Sequence, residues 1–187
     1  MTRLKFALAA SAAALSLHAQ ATTVALPSNG SWLAFDVDVV ATGSAGWIDA
    51  AYSGDFSPLS FSFFIAAGNV GILTVVDGGH AGDNFTLALN GNASYANTSA
   101  GTNNFPANAG LDFDAALAST DYSRGSFNLG PGAYTLSGSL LQSALDVSGR
   151  ALDATVGGVS LRVNQVTEPS SILLAGLGLL ALRLRRA

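Results

Sequence analysis

Apolar and polar residues alternate along several short segments of the chain. In WLAFDVDVV (32–40), Leu33, Phe35, Val37 and Val39 lie on one side of an extended chain, and two aspartates lie on the other. A strand with one buried face requires this period of two residues. Alternation or a short apolar run also predicts strands at SFSFFIA (60–66), VGILTVV (70–76), NFTLALN (84–90), SFNL (126–129), AYTLSGSLL (133–141) and VGGVSLRV (156–163).

Turn-forming residues separate these segments. Gly-Asn at 68–69, Asn-Gly at 90–91 and Gly-Pro-Gly at 130–132 are pairs and triplets that favour tight turns. The polar stretch 91–110 is expected to be a long loop, and DAALAST (114–120) to form one or two helical turns. Short strands with frequent turns predict an all-β protein, a single antiparallel β-sandwich of jelly-roll type.

The N-terminus has the layout of an export signal. Arg3 and Lys5 precede an apolar, alanine-rich segment at 6–17, and Ala19 and Ala21 form a small-x-small cleavage site. We therefore expect a signal helix over residues 1–21 that is removed after Ala21.

The C-terminus has the layout of a second address. Glu168 and Pro169 precede the uncharged segment 172–182, which is shorter than the roughly 20 residues of a spanning helix. Three arginines follow: Arg183, Arg185 and Arg186. Such a cluster favours keeping that end in the cytoplasm. The predicted division is a signal peptide at 1–21, the sandwich at 22–165 and a sorting signal with a short hydrophobic helix at 166–187.

Charge excludes one class of partner. Residues 22–167 contain eleven aspartates and three arginines, a net charge of −8. Such a body repels nucleic acid phosphates, so DNA or RNA binding is not expected. The chain has no cysteine, which excludes disulfides and cysteine-ligated zinc.

Two aspartates flank a glycine-rich turn, Asp77-Gly-Gly-His-Ala-Gly-Asp83. Carboxylates on such a loop, together with backbone carbonyls, can hold Ca²⁺. The alternative is that each aspartate accepts hydrogen bonds from backbone N–H groups of the turn. Calcium at Asp77 and Asp83 is the one cofactor hypothesis that the sequence raises.

Enzymatic chemistry is not expected. His80, the histidine that remains after signal removal, has no nucleophile motif of the G-x-S-x-G kind beside it and is expected in an exposed loop. Asp112 and Asp114 have the composition of a glycosidase pair, which needs two acids roughly 5–10 Å apart across a sugar. Capping the helix that follows is the simpler role.

Two aromatic residues are candidates for stacking on sugar rings. Trp47 and Tyr52 lie in a stretch rich in glycine and serine, and we expect them to be exposed. They define a second functional hypothesis, a carbohydrate-binding module.

The tail VTEPSSILLAGLGLLALRLRRA (166–187) resembles the PEP-CTERM sorting signal of Gram-negative bacteria that make exopolysaccharide. Glu168 and Pro169 match the most constant pair of that family, and Thr167 replaces its first proline. The resemblance implies that an exosortase, a membrane protease, recognises the tail of a precursor held at the inner membrane. It further implies delivery to the cell surface or the extracellular matrix.

The body resembles a group of proteins that carry this tail. VVDGGHAGDNFTLALNG (75–91) and SRGSFNLGPGAYTLSG (123–138) match two patterns of that group, and the match covers roughly 70–163. The group implies no catalytic residues. The expected function is that of a non-enzymatic surface or matrix protein associated with exopolysaccharide.

Overall fold

A computed structural model describes residues 21–166 of the chain. This range contains the following strands: β1 (Thr22–Ala25), β2 (Asn29–Asp38), β3 (Leu59–Ile65), β4 (Asn69–Asp77), β5 (Gly79–His80), β6 (Asn84–Leu89), β7 (Asn92–Asn97), β8 (Asn108–Gly110), β9 (Arg124–Leu129), β10 (Gly132–Gln142) and β11 (Ala154–Gln165). Two short helices accompany them: α1 (Val39–Thr42) and α2 (Phe113–Ala118). None of the helices in the described range is long and apolar enough to cross a membrane.

The strands form two large sheets. One has the order β1-β3-β10-β6-β7 and the other the order β2-β11-β4-β9. Leaving out β1 and the short strands β5 and β8, the remaining eight strands have the order of a jelly roll built from two Greek keys. Successive strands alternate between the sheets except for β6 and β7, which share one sheet. The predicted β-sandwich of jelly-roll type is confirmed. One pair departs from the antiparallel expectation, because β1 lies parallel to β3 at an edge.

The predicted alternation places the core between the sheets. Phe35 and Val37 of β2 are buried, while the aspartates beside them lie on the other face. Phe61 of β3 and Leu136 of β10 meet them from the five-stranded sheet, in one continuous cluster of buried apolar residues. The period of two in the sequence therefore identifies which side of each strand faces the partner sheet.

An aromatic stack joins the two sheets at the centre of this core. The ring centroids of Phe35 and Trp47 lie 3.9 Å apart at an interplanar angle of 16°. Two glycines make room for these rings. A Cβ at Gly157 would lie 2.2 Å from Cζ of Phe35, and a Cβ at Gly138 would lie 2.5 Å from the Trp47 indole.

The expected long loop at 91–110 is the main error in the predicted elements. It contains β7, which pairs with the edge of β6, and β8, which forms a small two-stranded sheet with β5. An edge strand such as β7 is held by backbone hydrogen bonds on one side and buries little side-chain surface. Its polar sequence NASYAN therefore carries no alternation that would reveal it.

The predicted helical turns are confirmed as α2. Asp112 is its N-cap and accepts a hydrogen bond from the N–H of Ala115, 3.0 Å away. Phe113 and Ala116 pack with Val76 in a second apolar cluster on the outer face of the four-stranded sheet. A Cβ at Gly158 would lie 2.6 Å from the Phe113 ring, so this glycine lets the helix sit close to the sheet.

The core stack can be tested with a pair of glycine variants. Gly157→Ala places a methyl group inside the Phe35 ring, and we expect it to lower the free energy of unfolding by about 1–3 kcal/mol, as overpacking does. Gly130→Ala meets no atom within 4 Å and should stay within about 0.5 kcal/mol of the wild type. Urea unfolding of both variants makes the comparison. Equal stability of the two would contradict the close packing of Phe35 on Gly157.

Candidate functional site

Two aspartates lie buried where β4 ends and β6 begins. Asp77 is the last residue of β4 and is 0% exposed, and Asp83 directly precedes β6 and is 1% exposed. Asp83 Oδ1 accepts a hydrogen bond of 2.7 Å from the N–H of Ala144. Neither carboxylate oxygen of Asp77 has a hydrogen-bond partner among residues 21–166. A buried carboxylate without partners is costly in its charged form, so Asp77 favours the neutral form.

The glycines between the two aspartates allow this arrangement. After β4 the chain turns sharply, and Gly79 and Gly82 have positive φ values of 53° and 126°. At Gly78 a Cβ would lie 2.9 Å from the carbonyl oxygen of Gly110 and 3.0 Å from that of Val156. A side chain there would push the turn that carries the two aspartates away from β8 and β11.

Burial controls the protonation of both groups. Burial and, to a smaller extent, the charge of Asp83 together raise the pKa of Asp77 to about 9. N–H groups of Gly78, Gly82 and Asp83 oppose the shift, although none of them reaches hydrogen-bond geometry. Burial also raises the pKa of Asp83, against the N–H of Ala144 and nearby Thr155 and His80. The pair therefore keeps at least one proton at neutral pH.

His80 does not lie in an exposed loop, as the sequence suggested. It belongs to β5 and is half-buried, with its ring centroid 4.8 Å from that of Phe105. Its Nε2 lies 3.3 Å from Nδ2 of Asn108 on the paired strand β8. The residue thus helps to hold the small sheet that covers the turn between the two aspartates.

The oxygen atoms at this site fit a cation only in part. Within the described range, no three histidine, aspartate or glutamate side chains are grouped so that they could hold a metal ion. Ca²⁺ takes six to eight oxygen ligands, so backbone carbonyls would have to supply most of them. Two interpretations of the pair therefore remain: a calcium site, and a pair of carboxyl groups that retains a proton.

The two possibilities differ in their dependence on pH. If Asp77 stays protonated, the folded chain binds a proton between the unfolded pKa of 3.8 and the folded value of about 9, and the unfolded chain does not. The contribution of Asp77 to stability is then fully present below 3.8 and is lost as pH rises through this window, by up to about 1.4 kcal/mol per pH unit. Asp77→Asn should remove most of this slope in urea unfolding measured across the window. A slope unchanged by the substitution would contradict a protonated Asp77.

Asp112→Asn is the matched control, because the same chemical change falls on an exposed helix cap where asparagine serves as well. Thermal unfolding of the wild type and of both variants at neutral pH, with and without millimolar Ca²⁺ and with Mg²⁺ for comparison, tests the metal site. A rise in Tm that is specific to calcium and lost in Asp77→Asn would establish the metal site. An unchanged Tm would exclude it.

A groove on the outer face of the four-stranded sheet is the second candidate site. It lies beside α2, has a volume of about 290 Å³ and is lined by Trp32, Thr74, Asp114, Leu117, Ser160 and Arg162, among others. Nε1 of Trp32 donates a hydrogen bond of 2.8 Å to Oδ1 of Asp114. Trp32 was not among the residues that the sequence predicted to form a site. The signal was present, because Trp32 falls on the polar side of the alternation in β2.

The structure separates the two aromatic residues expected at the surface. Trp47 is 2% exposed, so the expectation that it is exposed is wrong. Its backbone N–H donates to the carbonyl of Gly138 and its backbone carbonyl accepts from the N–H of Leu59, so both hydrogen bonds join it to the five-stranded sheet. Tyr52 is exposed, at 40%, and its hydroxyl donates to the carbonyl of Ala34. Trp47 and Tyr52 do not form a shared platform at the surface.

Several predicted residues lie outside the described range. At the N-terminus these are Arg3, Lys5 and Ala19 of the signal peptide with its helix. At the C-terminus they are Glu168, Pro169, Arg183, Arg185 and Arg186 of the sorting signal with its helix. Ala21, the last residue before the predicted cut, is described and exposed, and β1 begins at the next residue.

Comparisons with known proteins bear on both parts of the chain. Residues 165–187 match the PEP-CTERM protein-sorting motif. No curated protein matches the chain. The pre-peptidase C-terminal domain of a collagenase from Bacillus anthracis is 12% identical, with a TM-score of 0.40, over 76% of this chain and 95% of that one. A periplasmic inhibitor of g-type lysozyme from Aeromonas hydrophila is 13% identical, with a TM-score of 0.37, over 78% and 98%. At these TM-scores the likenesses carry no functional information.

The sandwich and the C-terminal match together define an exported protein with a C-terminal sorting signal. That signal is the PEP-CTERM motif, and it implies processing by an exosortase. The motif begins at Gln165, the last residue of β11.

Proposed function

We propose that the mature protein is a non-enzymatic component of the cell surface or extracellular matrix that associates with exopolysaccharide. The observation that carries this proposal is the sorting motif, which begins at the last residue of β11. Val166 donates its N–H to the carbonyl of Gly68, and the described sandwich ends there. A cut at or after Thr167 would therefore release the whole sandwich without removing a strand.

The packing supports a body that remains folded after release. The protein has no cysteine and so no disulfide, and stability must come from the core. Phe35, Phe61, Phe85 and Leu136 are 0% exposed within the main apolar cluster. β11, which precedes the motif, is an interior strand that pairs with β2 and β4 along most of its length.

The placement of the acidic residues supports a role without catalysis. Asp77 and Asp83 are shielded from solvent, so a polymer in solution does not reach them. Asp112 caps α2, and Asp114 holds the Trp32 indole. Glycoside hydrolysis requires two carboxyl groups about 5–10 Å apart that face the sugar. Asp77 and Asp83 are inaccessible to a sugar, and Asp112 and Asp114 are each engaged in a structural hydrogen bond.

A carbohydrate-binding module is the alternative function, and the outer groove favours it. Binding sites for small molecules combine aromatic surface with a few placed polar groups. The groove has both, whereas Trp47 offers no exposed ring for stacking.

The native host provides the test of the main proposal. We expect the mature protein to fractionate with the exopolysaccharide and its C-terminal peptide, measured by mass spectrometry, to end between Thr167 and Ser171. Pro169→Ala should leave the terminus at Ala187 and keep the protein in the membrane fraction, while Ser171→Ala serves as the neighbouring control. An intact Ala187 terminus in the wild type would contradict processing. A released protein that never accompanies the polymer would contradict the matrix role alone.

A further inference from the structure

The outer face of the four-stranded sheet is only partly covered. Strand alternation turns Trp32 of β2, Thr74 of β4, and Ser160 and Arg162 of β11 toward this face. The short helix α2 covers the other half of the face, where Phe113 and Ala116 pack. The groove of about 290 Å³ is the space that remains beside the helix. Its size is at the lower end of the range of about 300–1,000 Å³ that small-molecule sites occupy.

The tryptophan in this groove is held in place from two sides. The Phe113 ring packs against it at a centroid distance of 5.7 Å and an angle of 50°. The carboxylate of Asp114 accepts its indole N–H at 2.8 Å. The indole is half-buried and lines the groove, so a fixed aromatic surface is available to a ligand. A rigid aromatic surface binds at a low cost in side-chain entropy.

Polar groups surround this aromatic surface. The hydroxyl of Ser160 donates to the carbonyl of Gly30 at 2.9 Å, and the hydroxyls of Thr74 and Ser126 lie 3.3 Å apart. The guanidinium of Arg162 extends over Gly30, where a Cβ would lie 3.1 Å from Nε. A side chain at position 30 would require the guanidinium to shift by a few tenths of an ångström. Glycine at this position therefore allows the close approach of Arg162.

The charges of the groove are balanced. Arg162 supplies one positive charge and Asp114 one negative charge, within a body whose net charge is −8. The other two arginines of the body do not line the groove. Arg124 donates to the carbonyl of Leu117 at the end of α2, and Arg150 lies in the exposed turn at 146–150. A ligand with both donors and acceptors and without net charge matches this set better than an anion does.

We propose that this groove binds a neutral hexopyranose unit of a polysaccharide. The C–H face of the sugar ring packs on the Trp32 indole, Arg162 donates to ring hydroxyls, and Asp114 accepts from them. The inference rests on the proposed association with exopolysaccharide and names the site that would make the contact. It replaces Trp47 and Tyr52, which the sequence suggested for this role.

Binding of defined sugars tests the groove directly. Neutral gluco-, manno- and galacto-oligosaccharides, and neutral fragments of the host polymer, are titrated into the full sandwich by calorimetry. Acrylamide quenching provides a second readout, since the sequence has two tryptophans and Trp47 is buried. We expect at least one neutral sugar to bind and to shield Trp32. Arg162→Gln, which removes a charged donor, should weaken binding by about tenfold.

Two control variants separate the groove from the rest of the surface. Arg150→Gln makes the same change in charge outside the groove and should leave the affinity unchanged. Tyr52→Phe alters an exposed aromatic residue outside the groove and should also have no effect, whereas Trp32→Phe should weaken binding. Oligouronates matched in length should bind less tightly than the neutral sugars.

Three outcomes would overturn the proposal: no binding of any neutral sugar, affinity unaffected by Arg162→Gln and Trp32→Phe, or tighter binding of the uronates. The proposed function fails separately. A wild type that binds neutral sugars in the groove but never accompanies the host polymer would sustain the site and contradict the matrix role. Variants that lose oligosaccharide binding but remain with the polymer would show that the matrix role depends on another surface.

Discussion

The contact between Phe35 and Trp47 is the interaction on which the rest of the fold depends. Phe35 belongs to the four-stranded sheet, and Trp47 is tied to the five-stranded sheet through Gly138 and Leu59. Phe85 and Phe61 meet the stack edge-on at 5.0 Å and 6.2 Å. Aromatic pairs of this kind contribute about 0.5–1.5 kcal/mol each beyond the area that they bury. In a chain without disulfides, this cluster sets the separation of the sheets and so the position of everything attached to their outer faces.

Close packing against glycine also governs the outer face. Because Gly157 has no Cβ, the Phe35 ring packs against it on the inner face of the sheet. Because its neighbour Gly158 has none either, the Phe113 ring packs against it on the outer face. The second ring fixes α2, and α2 in turn fixes Asp114 beside Trp32. The shape of the groove therefore depends on how β11 packs against α2.

The strands with a buried face were predictable because alternation records burial directly. β2 and β6 show it, and Gly-Pro-Gly at 130–132 marks the turn before β10. The pattern does not predict β7, because an edge strand needs only backbone pairing. It also does not predict the burial of Trp47, because a segment rich in glycine and serine normally lies at the surface. The pairing of Asp77 with Asp83 was visible in the sequence as a spacing. Their burial was not, since it depends on parts of the chain that are distant in sequence, such as the segment at Ala144 whose N–H binds Asp83.

The pairing of β11 keeps the end of the sandwich ordered where the sorting motif begins. β11 runs through the interior of its sheet, where it pairs with β2 as far as Arg162 and with β4 as far as Gln165, the first residue of the motif. A final strand at a sheet edge would be paired on one side along its whole length and would lose order more readily. An interior last strand keeps the body intact whichever residue after Val166 becomes the new terminus. This separation allows the signal to act on the precursor without any contribution from the groove or the buried aspartates.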